Sequence, residues 1–244
     1  GYCVVAARIS PAIAPPAPPR LEGERTDPAE IMGALGILAL VVLVIGGIWG
    51  GLFTPSEAAG FGATGALVLG IAKGMRGREV MQAIYSAGRT TAPIMFLLIA
   101  ATMYSRLLAM GGAVNYIQGM FMSLGGGVVV IVLVMALIWL LLGMFIDSVS
   151  IILLTVPIFA PLTLSLGVDP IAFAIFGILI IEAGLLTPPF GLLVYTVKGA
   201  VPDRTVKLGD IFRGSIPYWV MILIAAFAVL IFPQLATWLP QLMF

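Results

Sequence analysis

The stretch EAGLLTPPFG, residues 182–191, decides how the chain can fold, because it interrupts an apolar segment that is long enough to cross a bilayer. That segment covers residues 171–197. Its two consecutive prolines, Pro188 and Pro189, lack backbone donors and clash with the preceding helical turn. A helix must break or kink sharply at such a pair. We therefore predict a broken transmembrane helix over 171–197.

A second break is predicted upstream, in residues 128–166, which are too long for one perpendicular crossing. The one charge in this range, Asp147, follows Gly143 closely. A helix broken between Gly143 and Ser148 resolves the excess length and gives the charge a place outside regular helix. One proline kink is common in membrane helices, whereas two breaks joined to a hairpin form a more specific combination.

The hairpin is predicted at residues 90–122, since a straight helix over them would measure roughly 50 Å at about 1.5 Å per residue. Gly111 and Gly112 supply a turn within this range. A re-entrant helical hairpin fits, provided that protein or a water-filled cavity surrounds its non-helical backbone. Before it, residues 73–89 are basic and rich in glycine, and we expect a cytoplasmic loop there with a short amphipathic piece near 79–88.

The remaining predicted spans are about 31–52, 55–72 and 214–239. The second of them opens with a helix-start signature, in which Thr54 is the N-cap, Pro55 is the first helical residue and Glu57 completes a capping box. Trp219 and Trp238 lie near the ends of the last span, where aromatic residues typically anchor a helix at the membrane interface.

The first 30 residues differ from the rest, being rich in Pro, Ala and charge. We interpret residues 1–30 as a connecting loop and residues 31–244 as the transmembrane domain. A signal peptide is not expected, because no basic start leads into an apolar run. The chain opens at Gly1 without an initiator Met, which we interpret as a fragment that begins within a longer protein. A processed N-terminus is the alternative.

The composition agrees with a membrane protein, since 61% of the residues are hydrophobic and 9% are charged, against about 25% charged in soluble domains. The formal net charge of +1 provides no basic field for nucleic acid, so the bilayer is the expected partner and nucleic acid is not. The chain has no His, and Cys3 is its only Cys. This inventory excludes imidazole proton relays, His/Cys zinc sites and disulfides within the chain. The predicted fold class is an all-α polytopic membrane protein.

Two carboxylates, Asp147 and Glu182, lie deep in apolar segments, where an ionised group costs about 2.5–3.5 kcal/mol and is normally paired or hydrated. One interpretation is an ion or substrate site; the other is a structural contact between helices, with Arg106 as a possible partner. The two helix breaks favour a site, because they expose carbonyl oxygens that suit a hard cation such as Na⁺. Hydroxyl groups add further oxygen donors, from Thr102, Ser105, Ser148 and Ser150, although such hydroxyls often bond their own helix.

Several blocks in order along residues 32–240 resemble the large membrane (permease) subunit of tripartite ATP-independent periplasmic (TRAP) transporters. They are GGLFTPSEAA (50–59), GMFID (143–147), VPIFAP (156–161), LGVDP (166–170) and EAGLLTPPFG (182–191). The resemblance is to the C-terminal half of that subunit, one of two inverted repeats of an elevator-type transporter, each with a re-entrant hairpin and a broken helix.

The resemblance implies a sodium-coupled importer of the bacterial inner membrane. It would receive an organic acid from a periplasmic substrate-binding protein and work with a small membrane subunit. Na⁺ is the implied coupling ion, with no cofactor and no other metal.

The implied sodium-binding residues lie at the two breaks, and they are Gly143, Asp147, Ser148, Thr187, Pro188 and Gly191. The implied substrate-facing residues lie on the hairpin and the second broken helix, and they are Thr102, Ser105, Arg106 and Glu182. The resemblance makes the part of the hairpin near Ala101 to Ser105 face the substrate, whereas local turn chemistry prefers Gly111 and Gly112 for the turn, so both positions stay open for the hairpin tip. Two positions depart from the family pattern. Leu193 stands where many relatives have Asn, and Arg106 stands where an apolar residue is common.

Two other function classes compete with a transporter. A structural membrane subunit without its own site would use the same helices only for packing. An integral-membrane enzyme acting on lipid would use Asp147 and Glu182 as acid and base, but the chain has no His and no metal-ligand cluster in its sequence. We therefore predict that the protein is not an enzyme.

Overall fold

The computed structural model describes residues 28–123, 125–201 and 206–243. The chain falls into two compact units, Gly1–Val80 and Met81–Phe244. Most of the expected connecting loop at 1–30 lies outside the described residues, so its boundary with the transmembrane domain stays a prediction.

The described residues form ten α-helices. In chain order they are α1 (Pro28–Trp49), α2 (Pro55–Ala72), α3 (Gly77–Met110), α4 (Ala113–Met122), α5 (Gly127–Gly143), α6 (Ser148–Ser165), α7 (Pro170–Leu185), α8 (Leu192–Ala200), α9 (Leu208–Ile231) and α10 (Gln234–Met243). Four of them, α1, α3, α6 and α9, are long and apolar enough to cross a membrane, and the bent pair of α4 and α5 raises the number to five. This helix set confirms the all-α polytopic membrane fold.

The first unit packs α1 against α2 through glycines that let the helices approach closely. A Cβ atom at Gly62 would lie 3.0 Å from a methyl carbon of Val44. The predicted capping box is present at the start of α2. The Thr54 N–H donates to Glu57 Oε2 at 2.8 Å, and the Glu57 N–H donates to Thr54 Oγ1 at 3.3 Å. These reciprocal bonds satisfy two donors at the helix start, which is why the helix begins at Pro55 as the sequence predicts.

The region after α2 differs from the prediction. Helix α3 is a single helix of 34 residues, so residues 73–89 do not form a long loop with a separate amphipathic piece, and the helix does not begin at residue 90. It passes through Gly88 and Pro93 without a break. Each of these residues stands alone, and a membrane helix tolerates a single glycine or proline when neighbouring groups satisfy the backbone.

The turn after this helix lies at Gly111 and Gly112, as local turn chemistry predicts, and not near residues 101–105, which are inside α3. Helix α3 ends at Met110 and α4 begins at Ala113. Gly112, between them, has a φ of +70°, a left-handed conformation that glycine adopts without steric cost. The two arms are unequal, with 34 residues in α3 and 10 in α4. The re-entrant path of this segment, and the elevator motion that the resemblance implies, stay predictions.

Both predicted breaks are present. Helix α5 ends at Gly143 and α6 begins at Ser148, while α7 ends at Leu185 and α8 begins at Leu192. The Pro188–Pro189 peptide within the second break is cis. The two broken helices therefore extend from 127 to 165 and from 170 to 200, close to the predicted 128–166 and 171–197.

The last predicted span, 214–239, is divided in the structure. Helix α9 starts six residues earlier, at Leu208, and ends at Ile231, and α10 follows from Gln234. Asp210 stabilises the early start, because its carboxylate accepts from the N–H of Lys207 at 3.1 Å. Pro233 explains the end, since it lacks an N–H and disfavours helical geometry at Phe232, whose ψ is 79°.

The core between α5, α6 and α7 is built around Trp139 on α5. Its ring centroid lies 5.2 Å from that of Phe159 on α6 and 5.1 Å from that of Phe173 on α7. The indole N–H donates to Thr155 Oγ1 at 2.8 Å. Gly177 makes room for the ring, as a Cβ there would lie 2.6 Å from Trp139 Cη2. Aromatic packing and one buried hydrogen bond thus fix α5, α6 and α7 against each other.

Candidate functional site

The two helix breaks lie side by side. The ring of Phe145, in the first break, has its centroid 5.0 Å from that of Phe190, in the second. The Ser148 hydroxyl, at the start of α6, donates to Glu182 Oε1 on α7 at 2.8 Å. These contacts join residues far apart in sequence, so the breaks that the sequence predicts separately belong to one place in the structure.

Two glycines permit this approach. Gly143 is the last residue of α5, and Gly184 lies in the last turn of α7. A Cβ atom at Gly184 would lie 2.7 Å from the carbonyl oxygen of Leu140 and 2.9 Å from the Cα of Gly143. Both obstacles are backbone atoms, which cannot rotate away as a side chain can. The helices therefore meet backbone to backbone, and only glycine fits at the crossing.

The first break offers one carboxylate and several backbone oxygens. Asp147 is the N-cap of α6, and its carboxylate accepts from the Ser150 N–H at 3.0 Å and from the Ser150 hydroxyl at 2.7 Å. The Asp147 side chain is exposed. Within the described residues, the carbonyls of residues 143–146 accept no backbone hydrogen bond. Unpaired carbonyls beside a carboxylate form the kind of oxygen-rich environment that binds hard cations.

The second break carries a hydroxyl whose orientation is fixed. The Thr187 hydroxyl donates to the carbonyl of Ala183 at 2.8 Å and accepts from the indole N–H of Trp219 at 2.9 Å. Gly191, at the start of α8, has a φ of +47°, and a Cβ there would lie 2.7 Å from Cε1 of Phe212. Its conformation and its surroundings both require glycine. The carbonyls of residues 185–190 accept no backbone hydrogen bond from the described part of the chain.

All six residues proposed as sodium ligands therefore lie at these two adjacent breaks, and their role as ligands stays a prediction. Of the four residues proposed to face substrate, Glu182 is at the same place, held by Ser148. The other three lie within α3. The Thr102 hydroxyl donates to the Leu98 carbonyl of its own helix at 2.8 Å, and the Arg106 side chain is exposed.

A cavity of about 300 Å³ lies between α3 and α6. Its lining consists of Leu97, Ala100, Ala101, Tyr104, Ser150, Leu153 and Leu154. Three of the predicted substrate-facing residues, Thr102, Ser105 and Arg106, are not among these, although their neighbours Ala101 and Tyr104 are. Ser150 links the cavity to the first break, because the same residue binds the Asp147 carboxylate.

The sequence did not predict two contacts at the site: the bond of Ser150, named above only as an oxygen donor, to Asp147, and the bond of Trp219 to Thr187. Trp219 is predicted above as an interfacial anchor, yet it lies 32 residues from Thr187 in sequence and bonds to it. One signal in the sequence could have indicated that the Trp219 side chain faces the protein interior. Three residues, Phe212, Trp219 and Ala226, are spaced seven apart along α9. Such a spacing places three side chains on one helix face, and Ala226 is fully buried.

An all-α membrane chain with two discontinuous helices that meet at their breaks has the architecture of a membrane transporter subunit. Comparison with known proteins agrees. A family model described as "Tripartite ATP-independent periplasmic transporter, DctM component" matches residues 18–235. The chain belongs to this family.

Curated relatives support the assignment. The chain is 32% identical over 205 residues to the sialic acid TRAP transporter large permease protein SiaM of Vibrio cholerae, and this alignment covers 82% of this chain and 47% of SiaM. It is 32% identical over 215 residues to the C4-dicarboxylate TRAP transporter large permease protein DctM of Pseudomonas aeruginosa, covering 87% and 50%. It is 32% identical over 213 residues to the ectoine/5-hydroxyectoine large permease protein UehC of Ruegeria pomeroyi, covering 86% and 49%.

The chain spans about half the length of the curated relatives it matches, and the match is to their C-terminal half. These findings confirm the resemblance to the TRAP large permease subunit that the sequence shows. They also confirm the expectation of a multi-pass inner-membrane protein. The relatives are named as transporter permeases, which also confirms the prediction that the chain is not an enzyme.

Proposed function

We propose that this chain forms part of the large permease subunit of a sodium-coupled TRAP transporter in the bacterial inner membrane. The transporter imports an organic acid that a periplasmic substrate-binding protein delivers, and a small membrane subunit works beside the permease. Family membership supports the transporter class. The observation that supports sodium coupling is the adjacency of the two helix breaks.

The chemistry of the breaks suits Na⁺ as the coupling ion. Na⁺ is a hard cation and prefers oxygen ligands, which carbonyl, hydroxyl and carboxylate groups supply. Between them, the two adjacent breaks supply backbone carbonyls without backbone hydrogen bonds, the Thr187 hydroxyl and the Asp147 carboxylate. A site of this composition binds the ion only when both breaks keep their places, so it links ion binding to the arrangement of two helices.

An acidic substrate fits the same region for a different reason. The N-terminus of α6 carries the positive end of a helix dipole, which favours an anion, and the cavity between α3 and α6 reaches this end through Ser150. The relatives are named for sialic acid, C4-dicarboxylate and ectoine transport. Their names differ, so the proposal extends to organic acids as a class and to no single compound.

The test is uptake by the full-length permease, reconstituted in proteoliposomes with its small membrane subunit and its binding protein. Labelled sialic acid, succinate and ectoine serve as probes. At least one probe should accumulate under an inward sodium gradient and not under an equal potassium gradient. Uptake that ignores sodium in the wild type would overturn the proposed coupling.

A matched pair of variants separates a sodium ligand from a helix cap. Asp147 caps α6, and Asp169 caps α7 by accepting from the Ile171 and Ala172 N–H groups. Both Asp147→Ala and Asp169→Ala should lose about 1 kcal/mol of helix-cap stability. Only Asp147→Ala should also raise the sodium concentration for half-maximal uptake, by about tenfold or more, because a charged ligand is removed. Equal sodium dependence in both variants would favour the structural interpretation of Asp147.

A further inference from the structure

We infer that Trp219 is a positioning residue for the proposed sodium site, acting through Thr187; this inference rests on the proposed function. The indole N–H of Trp219 donates to Thr187 Oγ1 at 2.9 Å. Trp219 itself is half-buried on α9, and it lies outside both breaks. The role therefore concerns the orientation of a ligand and not contact with the ion.

The hydrogen bonds at Thr187 determine what its hydroxyl can do. A threonine hydroxyl has one proton and two lone pairs. The proton is directed at the carbonyl of Ala183, and one lone pair receives the indole N–H. One lone pair remains, and its direction is set by the other two bonds. Trp219 thus keeps the Thr187 hydroxyl from rotating, and the hydroxyl presents a single free acceptor position at the break.

Helix α9 is placed so that Trp219 can serve this purpose. Phe212 lies two turns before Trp219 on the same face and packs against Gly191, at the far end of the second break. Ala226 lies two turns after it and is fully buried in the core. The face of α9 formed by these residues thus follows the second broken helix across its break. Fixed ligand orientation is what a small hard cation requires from a discontinuous helix, because a ligand that can rotate must be ordered when the ion binds.

The experiment measures sodium binding without a substrate or partner. Thermal unfolding of the purified full-length permease in detergent is followed in increasing NaCl, with choline chloride holding the ionic strength constant. An ion that binds only the folded state raises the melting temperature in a concentration-dependent way. The variants are Trp219→Phe, Thr187→Val and the double variant. Trp238→Phe is the control, because Trp238 is exposed on α10.

Trp219→Phe should raise, roughly three- to tenfold, the sodium concentration at which the increase in melting temperature is half-maximal. This is the change expected for the loss of one hydrogen bond. The double variant should resemble Thr187→Val alone, because two residues that act through one contact do not add. Trp238→Phe should match the wild type. Intrinsic fluorescence gives a second readout: a sodium-dependent change should be present in the wild type and Trp238→Phe and absent in Trp219→Phe.

Three results would overturn the inference. Trp219→Phe could lower the melting temperature equally in both salts with an unchanged sodium affinity, which is the mark of a purely structural role. Its effect could add fully to that of Thr187→Val, which would separate Trp219 from the hydroxyl. A wild type without any sodium-specific shift would instead remove the proposed sodium site, and the inference with it, so the two failures are distinguishable.

Discussion

The substitution Gly184→Ala should separate the two helix breaks, because the structure has no space for a methyl group at their crossing. The added carbon would lie 2.7 Å from the Leu140 carbonyl oxygen and 2.9 Å from the Cα of Gly143. These distances are well below the ~3.5–4.0 Å of ordinary carbon contacts. Overpacking of this kind costs about 1–3 kcal/mol. One kcal/mol shifts the melting temperature by about 2–4 °C in a protein of 150–250 residues and by less in a longer one, so we expect a fall of at most about 12 °C in the full-length permease.

The assay is thermal unfolding of the purified permease in detergent, repeated with and without sodium. Gly214→Ala is the matched control, since Gly214 lies inside α9 and a Cβ there would meet nothing within 4 Å. Helix propensity alone should make this control neutral or more stable by about 0.5–1 kcal/mol. Because Gly184→Ala moves α7 away from α5, it should weaken sodium binding as well. A Gly184→Ala protein as stable as Gly214→Ala, with wild-type sodium affinity, would refute the backbone-to-backbone crossing.

Two further predictions concern the bonds that hold the breaks and their core. Glu182→Leu should lower the free energy of unfolding by about 1–3 kcal/mol, because it leaves the half-buried Ser148 hydroxyl without its acceptor. Glu182→Gln keeps an acceptor and should lose less. Equal melting temperatures for the two variants would contradict this. Trp139→Phe should lower the free energy of unfolding by about 1–3 kcal/mol, because the bond to Thr155 and part of the ring packing disappear. Thermal or denaturant unfolding indistinguishable from that of the wild type would show that this core does not fix the helices.

The two helix breaks could be predicted from the sequence because their causes are local. Two adjacent prolines in the interior of a helix interrupt it, and Asp147, shortly after Gly143, is the only charged residue in its apolar segment. The same holds for the start of α2, where the Thr54 capping box depends on residues three apart. Chemistry within one turn of the chain determined each of these features.

The features that could not be predicted depend on tertiary structure or on weak local signals. The bond from Trp219 to Thr187 joins residues 32 apart, and no periodic pattern identifies the partner of an indole N–H. The crossing at Gly143 and Gly184 is equally invisible in a sequence that contains 29 glycines. The wrong start of α3 has a different origin, since the basic residues and glycines of 73–89 predicted a loop, whereas an isolated glycine such as Gly88 weakens a helix without ending it.

The most direct test of the account is a sodium-binding isotherm of the purified full-length permease, measured by calorimetry with KCl as the control titration. The wild type should bind Na⁺ saturably and show no matching response to K⁺. Asp147→Ala and Thr187→Ala, one from each break, should both weaken the binding, while Asp169→Ala, which removes a comparable helix cap elsewhere, should leave it unchanged. An isotherm that neither break variant alters, or a wild type that binds no sodium, would contradict the claim that the two breaks together form a sodium site.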